Sequence, residues 1–158
     1  MFAASVDASA LKARLNGTAA KVIASMRARA EVETGRLTDY IKSQKLSGQV
    51  LQNRTGNLRN AVFYYMEDRG TVIVGNVDVS MPAAKYGAAQ EFGAHIPERV
   101  PVTAKALHWL SAGGGDVFAM RARAFDLPAR SFMNSSLAEN QEQITASIQE
   151  SINEAISD

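Results

Sequence analysis

The residues able to do chemistry are few. His95 and His108 are the only histidines, and the chain contains no cysteine. Neither imidazole has a carboxylate at metal-ligand spacing, so the pair predicts a surface residue and a strand residue instead of a zinc site. No Gly-x-Ser-x-Gly elbow is present to expose a nucleophilic hydroxyl. Gly113-Gly114-Gly115 has the glycine content of a phosphate loop, yet it lacks the Gly-Lys-Ser/Thr ending and opens into an extended run. Arg54-Thr55-Gly56 has backbone N–H groups that suit an anion, but its composition reads more simply as a structural turn. Without cysteine there are no disulfides, thiolate ligands or iron–sulfur clusters. The expectation is a chain with no catalytic residues, no metal and no cofactor, and not an enzyme.

The elements that would position these residues follow from periodicity. Across residues 7–45, Leu11, Leu15, Ala19, Val22, Met26, Ala30, Leu37 and Ile41 recur mostly at steps of three and four, which predicts a long amphipathic helix. Asp7 suits its N-cap and Gly48 its end. Gly17 and Gly35 each cost roughly 1 kcal/mol inside a helix, so a bend or break near Thr34-Gly35 is an option. Arg27/Glu31 and Arg29/Glu33 are spaced as ion pairs on the solvated side. A polar connection leads to a hairpin over 61–76, rich in aromatic and β-branched residues, with its turn at 67–70. Pro82 opens a short helix over 82–92 that stops at Gly93. A second, longer hairpin is expected over 102–125 with residues 111–116 as its tip. A C-terminal helix over 131–156 closes the chain, its Leu137, Ile144, Ile148 and Ile152 sharing a face. The class is α+β, with both hairpins forming one antiparallel sheet packed by the three helices.

The chain has 158 residues, 46% hydrophobic, which suits one domain, 1–158, with a core of its own. No apolar run reaches the roughly 18 residues of a spanning helix. The first residues lack a signal-peptide pattern, so the expectation is a soluble chain made in the cytoplasm. The net charge of +1 conceals an asymmetry. Residues 1–60 carry ten bases and four acids, and residues 131–158 carry five acids and no Lys or Arg. Both ends read as solvated helix faces, or the basic end of one subunit meets the acidic end of a neighbour. A nucleic-acid face using Arg27, Arg29, Arg36, Arg54 and Arg59 is a third option, against which the overall charge balance speaks. Glu91 stands out because it lies at the C-terminal end of its short helix, where the dipole disfavours a carboxylate.

Three segments together resemble a known family. Residues 46–59, with Arg54-Thr55-Gly56-Asn57-Leu58-Arg59, are similar to its RTGxLR segment before the first strand. Tyr86-Gly87-Ala88-Ala89-Gln90-Glu91-Phe92-Gly93 resembles its YAxxxEFG helix, and Leu127-Pro128-Ala129-Arg130-Ser131-Phe132 its PARPFL lead-in to the last helix. The family is that of the tail-completion, or head–tail joining (neck), proteins of long-tailed bacteriophages and prophages. Ser131 stands where that family usually has proline, Gly87 replaces an alanine, and Met133 stands where leucine is frequent.

The resemblance implies a structural virion protein without an active site. It would be made in the host cytoplasm and form a ring, often of six copies, where tail meets head. Its partners would be copies of itself, tail-tube or terminator proteins and the head connector. Genomic DNA would pass through the channel without sequence-specific binding, and no membrane is involved. A tail terminator or minor tail protein is the nearest alternative. In this frame Gly56 and Gly93 allow tight turns, while Tyr86, Phe92 and Phe132 anchor the short and last helices to the sheet. Arg54, Arg130 and Glu91 would form an ion-pair cluster joining the motifs, which would account for the misplaced carboxylate.

Overall fold

A computed structural model describes residues 9–48, 51, 56–70, 72–111 and 113–157. Helix α1 (Ser9–Tyr40) passes without a break through Gly17 and Gly35 and widens into a π turn at Ile41–Lys45. The option of a break at Gly35 is corrected: the ring of Tyr64 packs where a side chain would stand, 3.8 Å from the position of a Cβ. The π turn places both Ile41 and Leu46 in the core, with the Leu46 N–H donating to the Ile41 carbonyl at 3.0 Å. A single helical turn, α2 (Asn57–Ala61), leads into the hairpin of β1 (Val62–Asp68) and β2 (Ile73–Val79). The first strand runs on to Asp68 because the turn lies beyond it, where the Arg69 N–H bonds the Val72 carbonyl, and β2 runs past the expected end to Val79, opposite Val62.

Helix α3 (Ala83–Phe92) is followed by β3 (Ala94–Ile96), β4 (Leu107–Leu110), β5 (Asp116–Ala119), β6 (Phe125–Leu127) and α4 (Asn134–Ser157). The chain is α+β, with one correction: the hairpins do not share a sheet. Among the described residues β1 pairs only with β2, β3 only with β6, and β4 only with β5. The last two ladders, with an Arg99–Ala122 bridge between them, make one interrupted two-stranded arm over residues 94–127. It begins eight residues earlier than the expected hairpin. The two hairpins pack differently: β1 and β2 are laid on α1, whereas the strands of the arm contact chiefly one another.

Contact between α1 and β2 is close enough to need glycine. A Cβ on Gly75 would collide with the Thr34 side chain, which is held by its own hydrogen bond to the Ala30 carbonyl. Ile41, Leu46, Leu51, Val62, Val79, Ala83 and Phe132 form the buried apolar cluster. These residues come from the end of α1, the connection after it, the near ends of β1 and β2, and the starts of α3 and α4. The core therefore sits at one end of the molecule.

Away from that end, α1 and α4 run antiparallel and are joined largely by polar groups. Ser25 and Ser151 hydroxyls lie 2.6 Å apart, and the Ser147 hydroxyl donates to Glu33 Oε1 at 2.6 Å. Glu33 is buried, with Arg29 at 3.4 Å and Arg36 at 3.2 Å. The expectation of a solvated Arg29/Glu33 pair is corrected accordingly, and Arg27 pairs with Asp68 instead of Glu31. Lys45 bonds Glu139 at 2.6 Å and Tyr40 bonds it at 2.7 Å. Those two hydrogen bonds hold the Glu139 carboxyl below its usual range. Among the described residues one ion pair, Lys45 to Glu139, joins the basic and acidic ends of the sequence within the chain.

Candidate functional site

The segments at 56–58, 86–93 and 128–132, far apart in sequence, converge on one junction beside the core. Gly56 starts α2 with φ 74°, and Leu58 from that turn reaches α3, where a Cβ on Gly87 would stand 3.2 Å from Leu58 Cδ1. The same Cβ would lie 4.0 Å from the ring of Phe132, which is 0% exposed. Glycine at 87, where the resembling family has alanine, lets these two side chains close on the helix. Arg54 and Thr55 lie outside the described residues.

Glu91 is the centre of this junction. It is buried, and its carboxylate accepts four hydrogen bonds from the start of the last helix. The donors are the Ser131 hydroxyl at 2.7 Å and the backbone N–H groups of Phe132, Met133 and Asn134 at 2.7, 2.9 and 3.0 Å. The first N–H groups of a helix have no partner within it, and their end of the helix is electropositive. Glu91 satisfies both requirements from another helix. Burial works against its charge, but the hydrogen bonds outweigh it and its carboxyl titrates below the ordinary range. The Arg130 part of the expected ion-pair cluster is corrected: Glu91 makes no salt bridge among the described residues, and Arg130 is exposed, while Arg54 lies outside the described residues. What Arg130 contributes is its backbone N–H, which donates to the Gln90 carbonyl at 2.6 Å.

Ser131 gives the departure from the family pattern a local reason. Its hydroxyl donates to Glu91 while accepting from the Ser135 N–H at 3.2 Å, so it caps the helix from outside as well. A proline there offers neither bond. Gly93 carries φ 78°, and a Cβ on it would lie 2.9 Å from the Leu127 carbonyl oxygen and 3.1 Å from the Ala129 nitrogen. Only glycine combines that conformation with that approach. Pro128 follows directly and is exposed. Of the three aromatic anchors expected, Phe132 is buried, whereas Tyr86 is half-exposed and Phe92 is 72% exposed. Phe92 points away because Glu91, its neighbour on the helix, takes the inward position.

Both legs of the arm leave this junction, β3 directly after Gly93 and β6 directly before Pro128. Each histidine sits on the arm with an aspartate across the ladder. His95 Nδ1 lies 2.7 Å from Asp126 Oδ1, and His108 Nε2 lies 2.6 Å from Asp116 Oδ1. Spacing along the chain concealed these partners, which only strand pairing brings together. His108 also stacks on Phe118 at 4.8 Å. Both pairs are exposed, and no serine, threonine or lysine stands in line with either in the hydrogen bonds of the described residues. No group of three or more His, Asp or Glu among the described residues is arranged to hold a metal ion. A groove along α1 and α4 is open and lined by charges of both signs, Arg29 and Arg36 against Glu150 and Glu154. Such a surface suits contact more than chemistry. None of the helices described is long and apolar enough to cross a membrane.

The serines of α4 were not singled out by their types. Ser136, Ser147 and Ser151 are buried on the side that faces α1 and the core. Their signal is spacing alone: Ser147 and Ser151 adjoin Ile148 and Ile152 on the inward stripe. Comparison of the chain with protein-family models, curated proteins and solved structures finds no match.

Proposed function

We propose that this chain is a non-catalytic structural subunit of the neck of a long-tailed phage or prophage, acting as part of a ring that completes the tail and joins it to the head connector. The observation that carries this reading is the junction. The three segments that resemble the neck family are the ones that meet there, around Glu91, Phe132 and Gly93. A motif whose parts make one structural unit is more informative than three short matches scattered over a surface. The ring's partners are further copies of the chain, the tail-tube or terminator protein and the connector, with DNA passing through unread.

Three of the five arginines offered for a nucleic-acid face are engaged in ion pairs. Arg27 pairs with Asp68, and Arg29 and Arg36 pair with Glu33. Phosphate contacts would have to break those pairs, which favours the structural reading over a nucleic-acid module. The test is mass by light scattering after size exclusion, for the chain alone and mixed with purified tails, with negative-stain images of each peak. Rings, or a monomer that joins one end of the tail, are expected. A chain that ignores tails but shifts with DNA in a salt-dependent way overturns the proposal.

A further inference from the structure

The chain exposes more surface than a compact protein of its size. Its accessible area is 11485 Å², where a compact 17.0 kDa monomer is expected to expose about 7,700 Å². The described residues contribute an open apolar surface to that excess.

Much of the apolar part of it lies on the arm. Val102 is 94% exposed, Met120 71% and Phe118 68%, with Leu110 and Phe125 also exposed. The strands of the tip, β4 and β5, pack on each other and make no comparable contact with another element. From Ala94 to Leu110 the arm reaches at most about 55 Å at the rise of a strand. A compact chain of this length has a radius of gyration of about 15 Å, so an arm of that span is long enough to reach a neighbouring copy.

One surface on the body answers it. The face of β1–β2 turned away from α1 carries Phe63 and Tyr65, both exposed and stacked at 6.0 Å, with Glu67 and Asp78 beside them. Both outer edges of that ladder are also unpaired among the described residues. Charge matches as well. Within the arm Asp126, Asp116 and Glu98 are taken by His95, His108 and Arg121, while Arg99, Lys105 and Arg123 have no ion pair among the described residues. Glu67 on the facing surface is held by Arg69 at 2.6 Å, whereas Asp78 has no ion pair among the described residues. The arm thus offers unpaired bases and apolar side chains to a face that holds the Asp78 carboxylate and two aromatic rings.

We infer that the arm of one copy docks on the outer β1–β2 face of the next copy. The contact is heterologous, one surface meeting a different one, and its repetition closes a ring or extends a filament. The inference rests on the neck reading only for the use of that ring.

The absence of cysteine makes the test direct. Phe118→Cys and Tyr65→Cys are prepared as separate proteins and treated with a short bifunctional maleimide, alone and mixed, free and after incubation with purified tails. Covalent dimers are expected in the mixture and not with either variant alone, and the double variant should give a ladder. Dimers from Phe118→Cys alone would mean arm-to-arm contact and overturn the inference. So would a ring seen by light scattering that yields no linked species, although the neck reading would survive. Linked rings that ignore tails would uphold the docking and remove the neck reading. A chain that stays monomeric both free and with tails ends both. As a second variant, Phe118→Ser with Met120→Ser is expected to weaken self-association at least about tenfold. Its urea midpoint at monomeric concentrations should stay unchanged, since neither side chain is buried.

Discussion

At the junction Phe132 is sealed from solvent and the first amides of α4 end on the Glu91 carboxylate. On the arm Phe118 stacks on a histidine and is otherwise largely open to water. Both regions are rich in apolar side chains, and both are built from short elements. What separates them is the number of layers. Three segments close over the junction, whereas the arm is a ladder two strands wide, too thin to bury either of its faces. An isolated two-stranded hairpin is marginal in water. The junction therefore supplies stability, and the arm supplies surface.

Substitutions in the two regions should separate them clearly. The largest effect is expected from Phe132→Ala, which empties a fully buried site and should cost about 3–5 kcal/mol in urea unfolding. If it costs less than about 1 kcal/mol, the junction is not where the stability resides. Glu91→Gln comes next, at about 2–3 kcal/mol, since the amide nitrogen presents a donor to backbone donors. Hydrogen exchange should quicken at residues 132–134. The same variant carries a pH signature. The folded-state pKa of Glu91 is depressed, so its contribution is complete above the unfolded-state value of about 4.3 and is lost as pH falls through the folded-state one. The wild-type chain should lose more stability between pH 5 and acid than Glu91→Gln does, and parallel curves would argue against the cap.

Gly35→Ala should act in the opposite direction. Its Cβ meets Tyr64 at an ordinary 3.8 Å, so removing a helix-interior glycine should add about 0.5–1 kcal/mol. The smallest effect belongs to the arm: Val102→Ser, at a position 94% exposed, should move the unfolding free energy of the monomer by less than about 0.5 kcal/mol. A larger loss would mean that the arm packs on its own body in solution.

Much of this architecture can be read from the chain. Three-and-four spacing locates α1 and α4, and the β-branched and aromatic run locates β1. The element order follows, as does the short helix ending at Gly93. The oddity of Glu91 was also visible, because a carboxylate at the wrong end of a helix needs a compensating partner. Its partner was not visible, because backbone N–H groups carry no residue type and Arg130 is the obvious cation nearby. The burial of Glu33 was hidden for a related reason, since the Ser147 hydroxyl and two flanking arginines together make an inward carboxylate tolerable. Whether two hairpins merge into one sheet depends on the path between them, and no periodicity encodes that path. Tyr86 and Phe92 show the limit of arguing burial from residue type: on a helix of ten residues the register chooses which side chains face in, and here it chose Gly87 and Glu91.

The hydrogen bond from Phe132 to Glu91 spans 41 residues of chain, and everything between its ends is the arm with its two roots. In a protein without cysteine, the carboxylate clasps that loop much as a disulfide would. Once the roots are fastened, the length of what lies between them matters little, because doubling a loop costs only about 0.6 kcal/mol in closure entropy. The arm is in this sense a replaceable insert. Changes in its length or sequence cost the fold little, because the clasp keeps them from reaching the core.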